Sequence, residues 1–372
     1  MPICFCVALL FLPRPTLGSK IERSSFGTSS DQHAIEQYTL MNDAGASVSF
    51  LNYGATVTSL KVPDKYGKIG DVVLGCNNIE QYENQSPYFG AAIGRVANRI
   101  ARGMFSIGDH HYALAINNGP NHLHGGFRGY DKRVWNAETI MTTDGPSIRF
   151  TLKDPDGCEG YPGNVHVTII YSLEADNTLK IQYFATTDQP TPINLTNHSY
   201  FNLKDAGKTD ILGHVMRIHG DHYTPVDSTL IPTGEIAPVK GTPIDFTVAK
   251  PIGRDIKAMG GNPIGYDQNV VLSNQSGKLA LAVEVYEPTS GRSMQVWTTE
   301  PGVQFYSGNF LDGSIKGKYG DVYHQYSAFA LECQHFPDSV NHSNFPSVIL
   351  EPGEVYRQIT EYRFSTAASQ PF

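Results

Sequence analysis

The stretch Asn194-Leu195-Thr196-Asn197-His198-Ser199-Tyr200-Phe201-Asn202-Leu203 decides how the chain is read. Taken as a β-strand, it sends alternate side chains to opposite faces. One face carries Asn194, Thr196, His198, Tyr200 and Asn202; the other carries Leu195, Asn197, Ser199, Phe201 and Leu203. The second set can pack into a core, Asn197 apart. The first is an unbroken row of hydrogen-bonding groups centred on one histidine, costly to bury without partners. Such a row suits a ligand that is itself a wall of hydroxyls, as a sugar is.

Moving outward, short alternating or β-rich segments recur on both sides: Ala46–Tyr53, Thr56–Val62, Ser147–Leu152, Val165–Leu173, Thr178–Thr186, Ala280–Tyr286 and Ser293–Thr299. Turn pairs such as Pro63-Asp64, Asp176-Asn177 and Ser290-Gly291 separate them. Many short strands with frequent turns predict an all-β sandwich or barrel. Helix is expected only over Asn78–Glu83 and Ile252–Met259, the latter stopped by Gly260-Gly261. No repeat or linker interrupts the pattern, so one domain over residues 30–372 is the economical reading.

Hydrophobic residues make up 40% of the 372 and charged residues 17%, a balance that permits a core and excludes a disordered chain. A formal charge of −8 without a basic run offers no field for nucleic acid or an anionic membrane. A neutral ligand fits best. Five cysteines without a CxxC pair read as small buried thiols rather than a disulfide or zinc framework.

Residues 1–18 read as a signal-like leader: Ile3–Leu12 is apolar, and Thr16 and Gly18 resemble a cleavage site, but no Lys or Arg precedes the run. Asn194-Leu195-Thr196 and Asn197-His198-Ser199 are formal glycosylation sequons. The expectation is a cytoplasmic protein, or a secreted one if the leader acts as a signal peptide. The run is too short to span a bilayer.

Candidate chemistry lies at a few positions. Strand parity groups Glu332 with Ala328, Ala330 and Gln334, a carboxylate with room beside it. A glutamate is rarely buried unless paired; the competing assignment is a salt-bridged edge residue. His122 and His124, at i and i+2 before Gly125-Gly126, share a face if extended and could hold metal, although further ligands at metal spacing are missing. Arg99 offers a planar fork of donors after Asn98. Gln304 and Tyr306 share one face of Gly302–Tyr306, and Asp267 reads as a turn residue or as an acceptor for sugar hydroxyls. No phosphate loop, nucleophile elbow or dinucleotide fingerprint is present, so the chemistry left is proton transfer by histidine and carboxylate.

Six segments together resemble the aldose 1-epimerase (galactose mutarotase) family: Asn52–Ala55, Gly94–Ile100, Leu123–Gly126, Asn194–Leu203, Pro301–Asn309 and Leu331–Asp338. They follow the family's order and span nearly the whole chain after the leader. The resemblance implies a large antiparallel β-sandwich of the galactose mutarotase-like supersandwich type with minor helix. It also implies an isomerase that interconverts the α and β anomers of free hexoses such as galactose and glucose. His198 matches the general acid and Glu332 the general base; Asn98, Arg99, His124, Asp267 and Gln304 match sugar-contacting positions, and Tyr200 joins them through its place on the His198 face. Neither cofactor nor metal is implied, and the expected partner is a small sugar bound by a monomer. Glu332 is expected to start ionised and His198 protonated, aided by nearby carboxylates. Competing assignments are a hexose-6-phosphate 1-epimerase, which needs a cationic cluster, and a non-catalytic carbohydrate-binding module.

Overall fold

The computed structural model describes residues 18–372, so the leader expected over residues 1–18 lies outside them except for Gly18. Three antiparallel sheets carry the architecture. A five-stranded meander opens with Lys20–Thr28, upstream of the expected domain start, and runs through Ala34–Met41, Ser47–Leu51, Thr56–Pro63 and Ile69–Asp71. A nine-stranded sheet pairs Val165–Leu173 with Thr178–Thr187, the latter with the C-terminal strand Tyr356–Thr366, and that in turn with Arg292–Thr298. A six-stranded sheet runs in the order Tyr200–Phe201, Phe329–Gln334, Gly302–Tyr306, Asp267–Val271, His222–Tyr223, Ala237–Pro238. Among the described residues no helix is long and apolar enough to cross a membrane.

The expected strands form where β-branched and aromatic residues alternate between turn signals, and Val165–Leu173 and Ala280–Tyr286 keep their expected bounds. Among the described residues α-helix is confined to Ile79–Asn84, where the Asn78 side chain accepts from the Gln81 amide as an N-cap. The second expected helix shrinks to a 3₁₀ turn over Ile256–Met259. Its upstream amides are spent elsewhere: Ile252 donates to His214 and Gly253 to Leu212.

Parity in the six-stranded sheet separates core from site. Phe329, Leu331, Cys333, Val303, Phe305 and Val270 enter one continuous apolar core with Val296, Tyr362 and Phe364 of the nine-stranded sheet. Phe201 lies 5.0 Å from the Tyr362 ring across that interior. The opposite parity, carrying Glu332, Gln304, Asn269 and Asp267, is left for polar work. Apolar burial of this extent is the main favourable term in folding.

Asn194–Leu203 is not one strand. Thr196–Asn197 pairs with Ala92–Ile93, and Tyr200–Phe201 switches partner to Phe329–Gln334. The switch occurs at His198, whose N–H and C=O bond to Ala91 and Gly90.

A buried ion pair holds the segment that leads to Asn98 and Arg99. Arg95 reaches Asp154 through Nε at 2.9 Å and Nη2 at 2.8 Å, and Nη1 donates to Pro162 O and Thr191 Oγ1. Removing one partner strands a charge in the interior. Asp154→Ala is therefore expected to cost about 3–5 kcal/mol of stability, read from denaturant unfolding of the variant beside the parent.

Candidate active site

Cross-strand register brings the candidate residues together. Tyr200 pairs with Ala330, and continuing that antiparallel count sets His198 opposite Glu332. Glu332 pairs with Gln304, and Gln304 with Asn269. Four polar side chains thus form one row across the sheet, with His198 Nε2 3.4 Å from Glu332 Oε1. Gln304 donates to Asp267 Oδ1 at 2.7 Å, tying in the neighbouring position. All this is nearly closed to solvent: Glu332 is 2% exposed and His198 4%.

Asn194 secures the register. Its Nδ2 donates to His335 O at 3.1 Å while its Oδ1 accepts from His335 N at 3.0 Å, a side chain standing in for a ladder pair. Thr196 adds a bond to Cys333 O, and Asn202 donates to Thr209 O and Ser327 O. The polar row expected to face a sugar is mostly consumed this way. Its members satisfy main-chain acceptors, because a buried polar group must find a partner. His198 is the exception.

Tyr200 is corrected as well. Its hydroxyl donates to Pro87 O at 3.0 Å, so its proton is committed and it can meet a ligand only as an acceptor. Its ring stacks on His198 with centroids 4.9 Å apart and backs the imidazole. Tyr88, which parity did not single out, packs its ring 4.7 Å from His124 and 5.8 Å from His198. A left-handed backbone at φ 69 places it, a feature without a periodic signal.

His124 enters from a loop. The strand ends at Leu123, and φ +50 at His124 turns the chain, so His122 and His124 do not share a face. Both nitrogens of His122 are engaged elsewhere, by Ala115 O and the Tyr161 hydroxyl. His124 Nδ1 accepts from Asn98 N at 3.1 Å, and Asn98 O accepts from His124 N. Neutral His124 therefore carries its proton on Nε2, as a donor. Gly125 permits this path, since a Cβ there would lie 1.8 Å from Gly94 O. Glu159 fastens the loop by accepting from the Phe127 and Arg128 amides, each at 3.0 Å.

Arg99 is buried and its Nε bonds Asn118 Oδ1. Its charge reaches Glu332, His124 and Tyr88. Asp267 begins the strand Asp267–Val271 rather than a turn. Asn98, Arg99, His124, Asp267 and Gln304 thus gather around the His198–Glu332 pair, together with Asn269 and Tyr88.

Burial sets the electrostatics. It raises the Glu332 carboxyl well above the usual carboxylate range; Asp267 adds to the rise and Arg99 opposes it. Burial also lowers the His198 imidazole to about 4, with only its own backbone hydrogen bond opposing. His124 is pushed well below its ordinary value by burial, then by His198 and Arg99. Both shifts favour the uncharged forms, the opposite direction from the expected resting state of ionised Glu332 beside protonated His198 with help from carboxylates. The number of protons on the pair is the same either way.

Unpartnered buried polar atoms cluster here: His198 Nδ1, Glu332 Oε2, Gln304 Oε1 and Asn269 Oδ1, with both amide atoms of Gln334 nearby. Leaving such atoms unpaired costs about 1–3 kcal/mol each, which marks a surface shaped for a polar ligand. His124, His198 and Glu332 also bring one donor atom each within 4.8 Å of one another. A metal-bound histidine donates its other N–H outward, whereas His124 Nδ1 accepts one. The trio thus fits hydroxyl oxygens better than a metal. Two broad clefts, of about 590 and 790 Å³, lie elsewhere and contain none of these residues.

Comparison with known proteins agrees with this geometry. The family profile described as aldose 1-epimerase matches residues 36–363. Galactose mutarotase of Rattus norvegicus is 45% identical over 348 residues, covering 93% of this chain and 99% of the relative. Aldose 1-epimerase of Escherichia coli (strain K12) is 38% identical over 330 residues, covering 88% and 94%. Among solved structures, galactose 1-epimerase from Lactobacillus acidophilus NCFM superimposes with a TM-score of 0.83 at 27% identity, over 94% of this chain and 100% of that one. The chain belongs to the aldose 1-epimerase family, a family of isomerases acting on sugars.

The loop geometry generates a test. Glu159→Ala strips two amides of their acceptor, so kcat/KM is expected to fall about tenfold, the equivalent of roughly 1.4 kcal/mol. In a His124→Ala background the same change should cost little more, as groups acting through one another are non-additive. Steady-state kinetics on the four proteins of the cycle measure this.

Proposed function

We propose that this protein interconverts the α and β anomers of free hexoses, galactose and glucose among them, with Glu332 as general base and His198 as general acid. One observation carries the assignment: two titratable groups face each other at 3.4 Å in a buried row of otherwise unpartnered polar atoms. The printed names of the relatives, galactose mutarotase and aldose 1-epimerase, support the substrate class.

Glu332 removes the proton from the C1 hydroxyl. The C1–O bond to the ring oxygen breaks, its electron pair goes to that oxygen, and His198 supplies the proton there. The open aldehyde turns about C1–C2. Closure on the other carbonyl face returns each proton to its source, so the cycle balances without an external reagent. Positioned acid and base of this kind each contribute roughly 10²- to 10⁴-fold.

The resting pair already holds the right number of protons. Moving one from Glu332 to His198 Nε2 gives the carboxylate and imidazolium that the first step uses. Arg99, which favours the ionised Glu332, lowers the cost. His124 donates from Nε2 to a sugar oxygen, while Arg99, Asn98, Asp267 and Gln304 bind hydroxyls. Arg99 is the cation whose charge reaches Glu332, which favours a free hexose over a phosphorylated one.

The reading takes one domain acting as a monomer, its expected start at residue 30 extended upstream to include the paired strand Lys20–Thr28. It also takes the protein as cytoplasmic. Supporting this, Cys76, Cys158 and Cys333 are free thiols, and in two of the five sequons the asparagines, Asn194 and Asn197, are buried with their Nδ2 atoms bonded to main-chain carbonyls.

Glu332→Gln keeps the shape and removes the base. Its kcat should fall by roughly 10²-fold or more while galactose still binds, as followed by polarimetry and calorimetry; near-parental turnover would reject the role. His198→Asn should behave alike.

The pH profile offers a separate check. A second proton reaches the pair only as pH falls toward the His198 value of about 4, and it blocks the base. After subtraction of the uncatalysed rate, kcat/KM should hold as pH drops through 6.5 and decline only near 4. An acid limb centred near an ordinary histidine value would contradict the neutral resting pair.

A further inference from the structure

Away from the catalytic row, Arg292 carries a buried charge with no ion-pair contact among the described residues. It opens the strand Arg292–Thr298 and is 4% exposed. Arginine is almost never fully buried unless paired. Here every bond of the guanidinium goes to a main-chain carbonyl: Nε to Val62 O, Nη1 to Leu203 O and Lys204 O, and Nη2 to Lys68 O at a long 3.5 Å. No carboxylate closes an ion pair with it among the described residues. Gly70 lets it lie this deep, since a Cβ there would come within 2.5 Å of Nη2.

Arg292 lines a cleft of about 790 Å³, within the size range of small-ligand sites. Lys61, Lys68, Lys204 and Lys208 line the same cleft. The first three form no ion pair among the described residues, and Lys208 has only Asp321, at 3.5 Å. The cleft's carboxylates are committed. Asp71 is bonded by Lys318 at 2.8 Å and by Ser59 and Tyr319; Asp64 accepts from the Tyr66 and Lys68 amides; Asp205 accepts from Thr209. The lining thus carries five cations against three carboxylates, a net positive hollow in a chain whose net charge is −8. Tyr66, 81% exposed, adds an aromatic surface at the cleft.

We infer that this cleft is a second ligand site, taking a small organic phosphate whose phosphoryl oxygens meet Arg292, Lys68 and Lys204 while its organic body lies over Tyr66. Guanidinium and ammonium donors are suited to phosphate oxygens, and charge-assisted bonds of this kind are the strong ones. A buried cation lacking its own anion is costly, and a phosphate supplies that anion. Burial pulls the Arg292 pKa down against Asp64, Glu287 and Asp71, the direction expected of an incompletely compensated charge. The site does not depend on the catalytic assignment, although Arg292 also grips Leu203 O, the end of the segment that carries His198.

The test is calorimetric titration of the full chain, with galactose saturating the sugar site, against inorganic pyrophosphate, ADP and glucose 6-phosphate at low ionic strength. Saturable one-to-one binding is expected, weakened about tenfold or more in Lys68→Glu/Lys204→Glu; both residues are on the cleft wall, so galactose turnover should be unchanged. Tighter binding of ADP than of pyrophosphate supports the contact with Tyr66; equal binding supports the phosphoryl contact and overturns the aromatic one. Absence of saturable heat, or affinity undiminished in the double variant, overturns the site.

Discussion

The Asn194 carboxamide grips the backbone of His335 from both sides, and the place of the histidine four residues later follows from that grip. Backbone pairing alone could not set this register, because the segment changes partner between Asn197 and Tyr200. A one-residue slip in a strand exchanges its two faces. Such a slip here would turn His198 into the core and Ser199 toward Glu332. The side-chain fork and the Thr196 bond to Cys333 O hold the correct alignment where the ladder is interrupted.

Burial then does the electrostatic work. The same exclusion of water that raises Glu332 lowers His198, so burial favours the uncharged form of each while a short proton movement would make them an ion pair. The surrounding residues leave that balance adjustable. Arg99 favours the ionised carboxylate, Asp267 opposes it, and His124 is fixed in one tautomer by the Asn98 amide. Two neutral groups that can become an ion pair without gaining or losing a proton suit a reaction that begins and ends with the same bonds.

Much of this was legible in the sequence, and the remainder had definite physical reasons to be hidden. Strands with plain alternation, such as Val165–Leu173, announce themselves because one face is buried and turn residues close the ends. The parity of Glu332 and Gln304 was also readable, since period two survives whatever lies on either side, whereas Asp267 reads from sequence as a turn residue and instead opens a strand. What parity cannot reveal is where a side chain's far end goes: Tyr200 keeps its face yet spends its hydroxyl on Pro87, in a distant loop. His124 and Tyr88 reach the site through left-handed backbone turns, for which hydrophobic pattern has no signature. Protonation was hidden too, because it depends on how much water is removed, and that is decided only when the sheets close.

The tight seating of Asn194 and Asn197 also bears on how the chain can be made. Both stand in acceptor sequences for oligosaccharide transfer, and both end with their amide nitrogens sealed against main-chain oxygen. Were synthesis to take place where nascent polypeptides receive such polymers, modification could precede closure. A branched carbohydrate on Asn194 would then occupy the very nitrogen that must meet His335. Trafficking and architecture are coupled here: this interior can be completed only by a chain that escapes that modification while it is still being folded.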